Sequence, residues 1–196
     1  AEALAAIEGW PGWPGGRLVL FGPPGAGKSH LAHVWAGMTG AAILPAATLE
    51  TADIATCAAA PVAVEDAEQV AGRAAAEVAL FHLLNHAQAQ GQPVLVTARQ
   101  PPARWGLALP DLESRLQATT VARLHPPDDA LLSALIAKLF ADRQLSPSPA
   151  TLTYILRRID RSFDAAARAV ARLDRAALDR GRPVTRALAS ELFDDA

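Results

Sequence analysis

Apolar residues follow two patterns along this 196-residue chain, and the change between them falls near position 125. Before it, short unbroken apolar runs alternate with stretches of helical period. The runs at 18–21, 61–64 and 93–98 predict strands, the last two buried, while 41–45 reads as a short second strand and 119–124 as the last one. Between them Leu31, Val34, Trp35 and Met38 recur at helical spacing, and Val70, Ala74, Val78, Phe81 and Leu84 mark one face of a long helix ending near Gly91. A short helix is expected at 109–116, another at 3–8, and a weak helical connector at 49–59. The prolines and glycines of 9–16 (GWPGWPGG) exclude regular structure there. Strands alternating with helices predict an α/β unit with a parallel five-stranded sheet.

After His125-Pro126-Pro127-Asp128-Asp129 the strand pattern stops. Leu131, Leu132, Leu135, Ile136, Leu139 and Phe140 predict an amphipathic helix with Asp128 or Asp129 as its N-cap. Further helices follow over 149–159, around Phe163, Ala167, Val170 and Leu173, and, beyond the breaker Gly181-Arg182-Pro183, around Val184, Leu188 and Leu192. The expected division is a core over 1–125 and a small α-helical lid over 126–196.

Composition narrows the function classes. The net charge of −2 and pI of about 6.2 give no basic field that points to duplex DNA. A single cysteine, Cys57, excludes a disulfide framework and a thiol metal cluster. No apolar run reaches membrane-spanning length and no signal sequence is visible, so a cytoplasmic location is expected. The chain begins at Ala1 without methionine, which suggests an upstream segment.

The chemistry is concentrated after the first strand. Gly22-Pro23-Pro24-Gly25-Ala26-Gly27-Lys28-Ser29 fits GxxxxGK[ST] with an apolar run before it and a helix after it. Glycines let successive backbone N–H groups curl around an anion, and the helix start adds its positive end. Lys28 is expected to reach the β- and γ-phosphates of ATP or ADP, with the Ser29 hydroxyl in the Mg²⁺ shell. The run 61–64 ends in Glu65 and Asp66, an apolar strand delivering acids to its C-terminal edge. Glu65 is expected to support Mg²⁺ and Asp66 to orient or deprotonate the attacking water. Thr97, at the end of the 93–98 run, stands where such ATPases place a polar sensor of the γ-phosphate. His82 and His86 stand at i, i+4, a spacing that suits a metal, but no third ligand is evident and solvent or packing roles are favoured. Trp10 and Trp13 either pack their loop onto the domain or shelter a base, and packing is favoured.

A five-strand P-loop core followed by a helical lid resembles the AAA+ ATPase layout. The likeness goes further in four places: Phe21 to Leu31 with His30 inside it, the Val64-Glu65-Asp66 acids, Phe81-His82, and Leu109-Pro110-Asp111-Leu112-Glu113-Ser114-Arg115-Leu116. These resemble the bacterial replication initiator DnaA and, more closely, the shorter Hda branch of that family. The resemblance implies a nucleotide-binding regulator that docks on ATP-loaded DnaA with the DNA sliding clamp and stimulates hydrolysis there through an arginine finger. The finger maps onto Arg115; from spacing alone, Arg115 pairs with Asp111 or Glu113 on its own helix. The family's nucleotide-sensing lid arginine falls on Asp164, with Arg161 and Arg168 nearby, which implies weak intrinsic hydrolysis. Only 46–60 lies where DnaA has its longer single-strand-binding insertion, and it holds no Lys or Arg, so little direct DNA binding is expected. DnaA's helix-turn-helix domain has no counterpart before Ala196, and the N-terminal clamp-binding peptide of Hda has none in these residues. Self-association through AAA+ interfaces is the further expectation. The alternative is an autonomous AAA+ ATPase, such as a helicase loader or a DnaA-like initiator fragment.

Overall fold

Five short strands carry the apolar runs: β1 (Arg17–Phe21), β2 (Ala42–Pro45), β3 (Val62–Glu65), β4 (Val94–Ala98) and β5 (Thr120–Arg123). In the computed structural model, which describes residues 2–194, they form one parallel sheet in the order β2-β3-β4-β1-β5. The central strands are buried on both faces and therefore read as continuous apolar runs, whereas edge strand β5 exposes Thr120, Val121 and Arg123. The chain divides into two compact units, Ala1–Pro23 with Gly27–His125 and Pro24–Ala26 with Pro126–Ala196.

In the first unit, helices α1 (Glu2–Glu8), α2 (Lys28–Thr39), α3 (Ile54–Cys57), α4 (Ala74–Ala89) and α5 (Pro110–Gln117) surround the sheet. The pleat sends alternate side chains to opposite faces. Val19, Val62, Val64, Val94 and Val96 meet Leu80, Leu83 and Leu84 of α4 and Leu112 and Leu116 of α5 on one face. Leu18, Leu20, Ala63 and Leu95 meet Ile7 of α1 and Ala32 and Trp35 of α2 on the other.

Several local expectations need correction. The 9–16 loop is regular in part, with 3-10 turns at Trp10–Gly12 and Pro14–Gly16; the prolines stand where no N–H is needed. Trp13 packs: it stacks on Trp35 with ring centroids 5.4 Å apart and donates its indole N–H to Ala6 O at 2.7 Å. On α2 the inward face is Ala32 and Trp35, while Val34 and Met38 are exposed. On α4 it runs through Ala76, Leu80, Leu83, Leu84 and Ala87, Val78 is exposed, and Val70 lies in a separate 3-10 turn. Both helices carry small or apolar residues nearly all round, so the period alone does not fix the face. The 49–59 connector is a 3-10 turn (Ala46–Thr51) followed by single-turn α3.

Glu77 is an acid on the buried face of α4, only 1% exposed. Its oxygens accept from Gly72 N–H (3.0 Å), Ala108 N–H (2.9 Å) and Leu109 N–H (2.8 Å), so one side chain ties down the segment that leads into α5. Replacing it with alanine orphans these donors, and Glu77→Ala is expected to cost about 2–3 kcal/mol in urea unfolding. Glu77→Gln, which keeps one acceptor, should cost less. A loss under about 0.5 kcal/mol for the alanine variant, typical of plain surface positions, would contradict this role.

The second unit contains α6 (Asp129–Ala141), α7 (Pro149–Leu156), α8 (Phe163–Arg180) and α9 (Arg186–Phe193). Each begins with a side-chain cap: Asp128 accepts from Leu131 N–H, Ser148 from Thr151, Ser162 from Ala165 and Thr185 from Leu188. Leu132, Ile136, Phe140, Ile155, Val170, Leu173 and Leu188 form the core; on α8, Ala166 and Ala169 point inward and Ala167 outward. Within this unit Phe163 N–H donates to Gly25 O at 2.8 Å.

Asp194 closes the helical unit by accepting from Arg158 Nε (2.6 Å), Ser190 Oγ (2.6 Å) and Tyr154 Oη (2.5 Å). The Arg158 bond first, then those from Ser190 and Tyr154, hold its carboxyl well below the usual carboxylate range. A depressed carboxylate contributes stability above its unfolded pKa of about 3.9 and loses it as pH falls through the folded value. Asp194→Asn is therefore expected to lower the melting temperature slightly at neutral pH, with the difference from the parent shrinking below about pH 4. An equal difference at neutral and acid pH would contradict this linkage.

Candidate functional site

The site is built on the C-terminal edge of the sheet, where β1, β3 and β4 end side by side. Parallel register sets Leu20 beside Thr97 and Val64 beside Val96, so the residues that follow β1 and β3 emerge on the same edge. Open α/β sheets offer this edge to ligands.

Gly22 begins the loop after β1 and donates its N–H to Ala98 O at 3.1 Å. A Cβ at this position would lie 2.2 Å from Leu124 O, so no residue but glycine fits without moving β5's exit. Gly25 and Gly27 have φ of 70° and 97°, and Gly27 is the N-cap from which α2 starts at Lys28. Lys28 is 8% exposed, and its Nζ donates to Gly22 O (2.8 Å) and Pro23 O (3.0 Å), which holds the ammonium inside the loop. Ser29 and His30 follow on the first turn of α2, both exposed. Pro24, Gly25 and Ala26 belong to the helical unit.

Glu65 is the last residue of β3, and its Oε1 is buried without a hydrogen-bond partner. A buried carboxylate oxygen left this way is costly and suits a cation. Asp66 adopts the left-handed conformation, φ 51°, an uncommon one for a residue with a side chain. Its N–H donates to Thr97 Oγ1 at 3.3 Å, so the buried Thr97 hydroxyl links the ends of β3 and β4. Among the described residues no group of three or more His, Cys, Asp or Glu is placed to hold a metal ion. His82 and His86 are exposed with rings 6.5 Å apart.

Arg115 lies elsewhere. Its Nη1 donates to Gln88 Oε1 at 2.7 Å and its guanidinium stands 5.5 Å from the centre of the Phe81 ring. Among the described residues Arg115 makes no ion pair with Asp111 or Glu113, which spacing allows; Glu113 instead accepts from Gln117 Nε2 at 3.1 Å. The same Gln88 oxygen accepts from Arg17 Nη2 at 3.1 Å. Arg17 opens β1 and the phosphate loop follows its last residue, so the two ends lie four residue steps, about 13 Å, apart along the strand. Arg115 thus stands at the end opposite Lys28. Arg17, Gln88 and Glu77 went unnoticed in sequence. Glu77 alone left a signal there, an acid in register with Leu80 and Leu84; Arg17 and Gln88 are 71 positions apart.

No helix among the described residues is long and apolar enough to cross a membrane. No protein-family profile matches the chain. In three dimensions it is similar to domain III of the Thermotoga maritima replication initiation protein DnaA, with TM-score 0.80 at 18% identity over 98% of this chain and 90% of that one. It is similar to the replication initiator DnaA bound to AMPPCP and single-stranded DNA, with TM-score 0.73 at 15% identity over 92% of this chain and 62% of that one. Thermotoga maritima RuvB gives TM-score 0.74 at 18% identity, with 98% and 65% covered. The chain therefore spans less than two thirds of these last two. At such identities the likeness is one of fold, and the fold is the AAA+ P-loop fold of DnaA domain III.

Proposed function

We propose that the chain is a nucleotide-binding AAA+ regulator of replication initiation, which docks on ATP-loaded DnaA together with the sliding clamp and supplies Arg115 to the nucleotide of its partner. The observation that carries this reading is the separation of Arg115 from Lys28 along β1. A guanidinium at the far end of the strand from its own phosphate loop acts on a phosphate only across an interface. Where such fingers are measured they are worth about 10³–10⁵ in rate. One of the similar structures is a DnaA bound to AMPPCP, which supports a nucleotide as ligand.

Lys28 and the amides of Gly25–Ser29 would hold the phosphates, and Ser29 and Glu65 would hold Mg²⁺. The ion supplies charge neutralisation at the phosphates when bound. Asp66 and Thr97 meet at the same edge, where a carboxylate can orient water and a hydroxyl can read the terminal phosphate. That grouping is also what an autonomous ATPase needs, and it favours the second reading, a helicase loader or initiator fragment. The resemblance puts Asp164, exposed in the first turn of α8, where the family carries its nucleotide-sensing arginine, and a carboxylate in that role cannot neutralise a phosphate, which favours weak turnover.

Intrinsic turnover separates the readings. The isolated protein is expected to bind ATP or ADP with Mg²⁺ in calorimetry and to hydrolyse ATP well below the roughly 1–10³ s⁻¹ typical of enzymes. Fast hydrolysis that does not depend on protein concentration would overturn the regulator reading in favour of the autonomous ATPase.

A further inference from the structure

Two like charges meet at the N-terminal edge of the sheet, and among the described residues neither makes an ion pair. Arg17 and Arg115 both donate to one neutral acceptor, Gln88 Oε1, at 3.1 and 2.7 Å. Arg17 Nη1 is buried and has no hydrogen-bond partner. Burial, and then the charge of Arg115, pull the Arg17 guanidinium below its ordinary value, the direction expected for a cation lacking a counter-ion. Both arginines line an open cleft of about 610 Å³ together with Gly15, Phe81, Gln88 and one acid, Asp111. Gly15 has φ 62°, and a Cβ there would come within 3.4 Å of Arg17 Nη2, so the turn leaves that guanidinium accessible.

A folded chain gains nothing by holding two guanidinium groups on one amide oxygen, with a buried N–H left over, unless an anion joins them. We propose that Arg17 and Arg115 together form a second phosphate-binding cleft, taking the di- or triphosphate of a nucleotide carried by another AAA+ module. Two planar forks converging on one point suit an anion with several equivalent oxygens better than a carboxylate, which one fork satisfies. Gln88 positions both: it aligns the forks without cancelling their charge. Arg17 is the added element, a second cation for the phosphate that Arg115 reaches. The inference rests on the reading of Arg115 given above for the source of the phosphate, though not for the existence of the cleft.

Inorganic pyrophosphate is the probe, titrated by calorimetry into Lys28→Ala protein to remove the phosphate loop's own binding. The expected result is one residual site, weakened about tenfold or more by Arg17→Gln or by Arg115→Gln, and by raised salt. Circular dichroism melts establish that each variant is folded. If Lys28→Ala does not fold, the same titration on ADP-saturated parent protein replaces it. No residual site, or a site untouched by Arg17→Gln, overturns the proposal. A second arm measures hydrolysis of ATP bound to DnaA. Pyrophosphate binding without stimulation of DnaA would leave the cleft standing and sink the proposed function. Stimulation that survives Arg17→Gln in a protein that binds no pyrophosphate would do the reverse.

Discussion

Lys28→Ala is expected to weaken ATP and ADP binding by about a hundredfold or more while the sheet stays folded. The ammonium is already confined to the loop, 2.8 Å from Gly22 O and 3.0 Å from Pro23 O, so little freedom remains to be lost when phosphates arrive. Charge-assisted hydrogen bonds to phosphate contribute about 1.5–3 kcal/mol each, and alanine removes them together. The variant also leaves two loop carbonyls without a donor, so a modest drop in melting temperature should accompany the loss. The β1–β4 and β1–β5 ladders do not involve the side chain, which is why the fold should persist. Equal affinity for variant and parent in calorimetry would remove Lys28 from the site.

Arg115→Ala is expected to keep folding and nucleotide binding and to abolish stimulation of DnaA, a loss on the order of 10³-fold or greater in rate. The side chain makes one hydrogen bond and one ring contact, and neither reaches the phosphate loop. Its removal therefore has no route to the chain's own nucleotide. Arg115→Lys should rescue poorly, because an ammonium lacks the planar fork that spans phosphate oxygens and holds Gln88 at the same time. If Arg115→Ala stimulates as well as the parent, the finger is elsewhere. Arg104 and Arg123, both exposed in the same unit, are then the next to replace.

The sheet was legible in the sequence because its central strands are buried on both faces, and a strand so placed must be apolar throughout. Leu18 to Phe21 and Val94 to Ala98 leave little choice of structure. The phosphate loop was legible for a related reason: Gly22 faces Leu124 O too closely for any other residue, and the pattern of such glycines is short and local. Helix faces were less so. In α2 and α4, alanines and leucines occur on several sides, and only packing decided that Val34, Met38 and Val78 face water. Contacts between distant positions were not legible at all. Arg17 and Gln88 carry no signal in the sequence, and spacing alone pairs Arg115 with Asp111 or Glu113; the meeting of the three depends on β1, α4 and α5 being assembled.

The most direct test of the central claim is a single-turnover measurement of ATP hydrolysis on DnaA, with the sliding clamp on DNA present, and with or without this protein carrying a clamp-binding peptide ahead of Ala1. The account predicts rapid loss of the bound ATP when the parent protein is added, and none beyond the DnaA background with the Arg115→Ala variant. Unchanged ATP on DnaA in the presence of nucleotide-bound parent protein would contradict it.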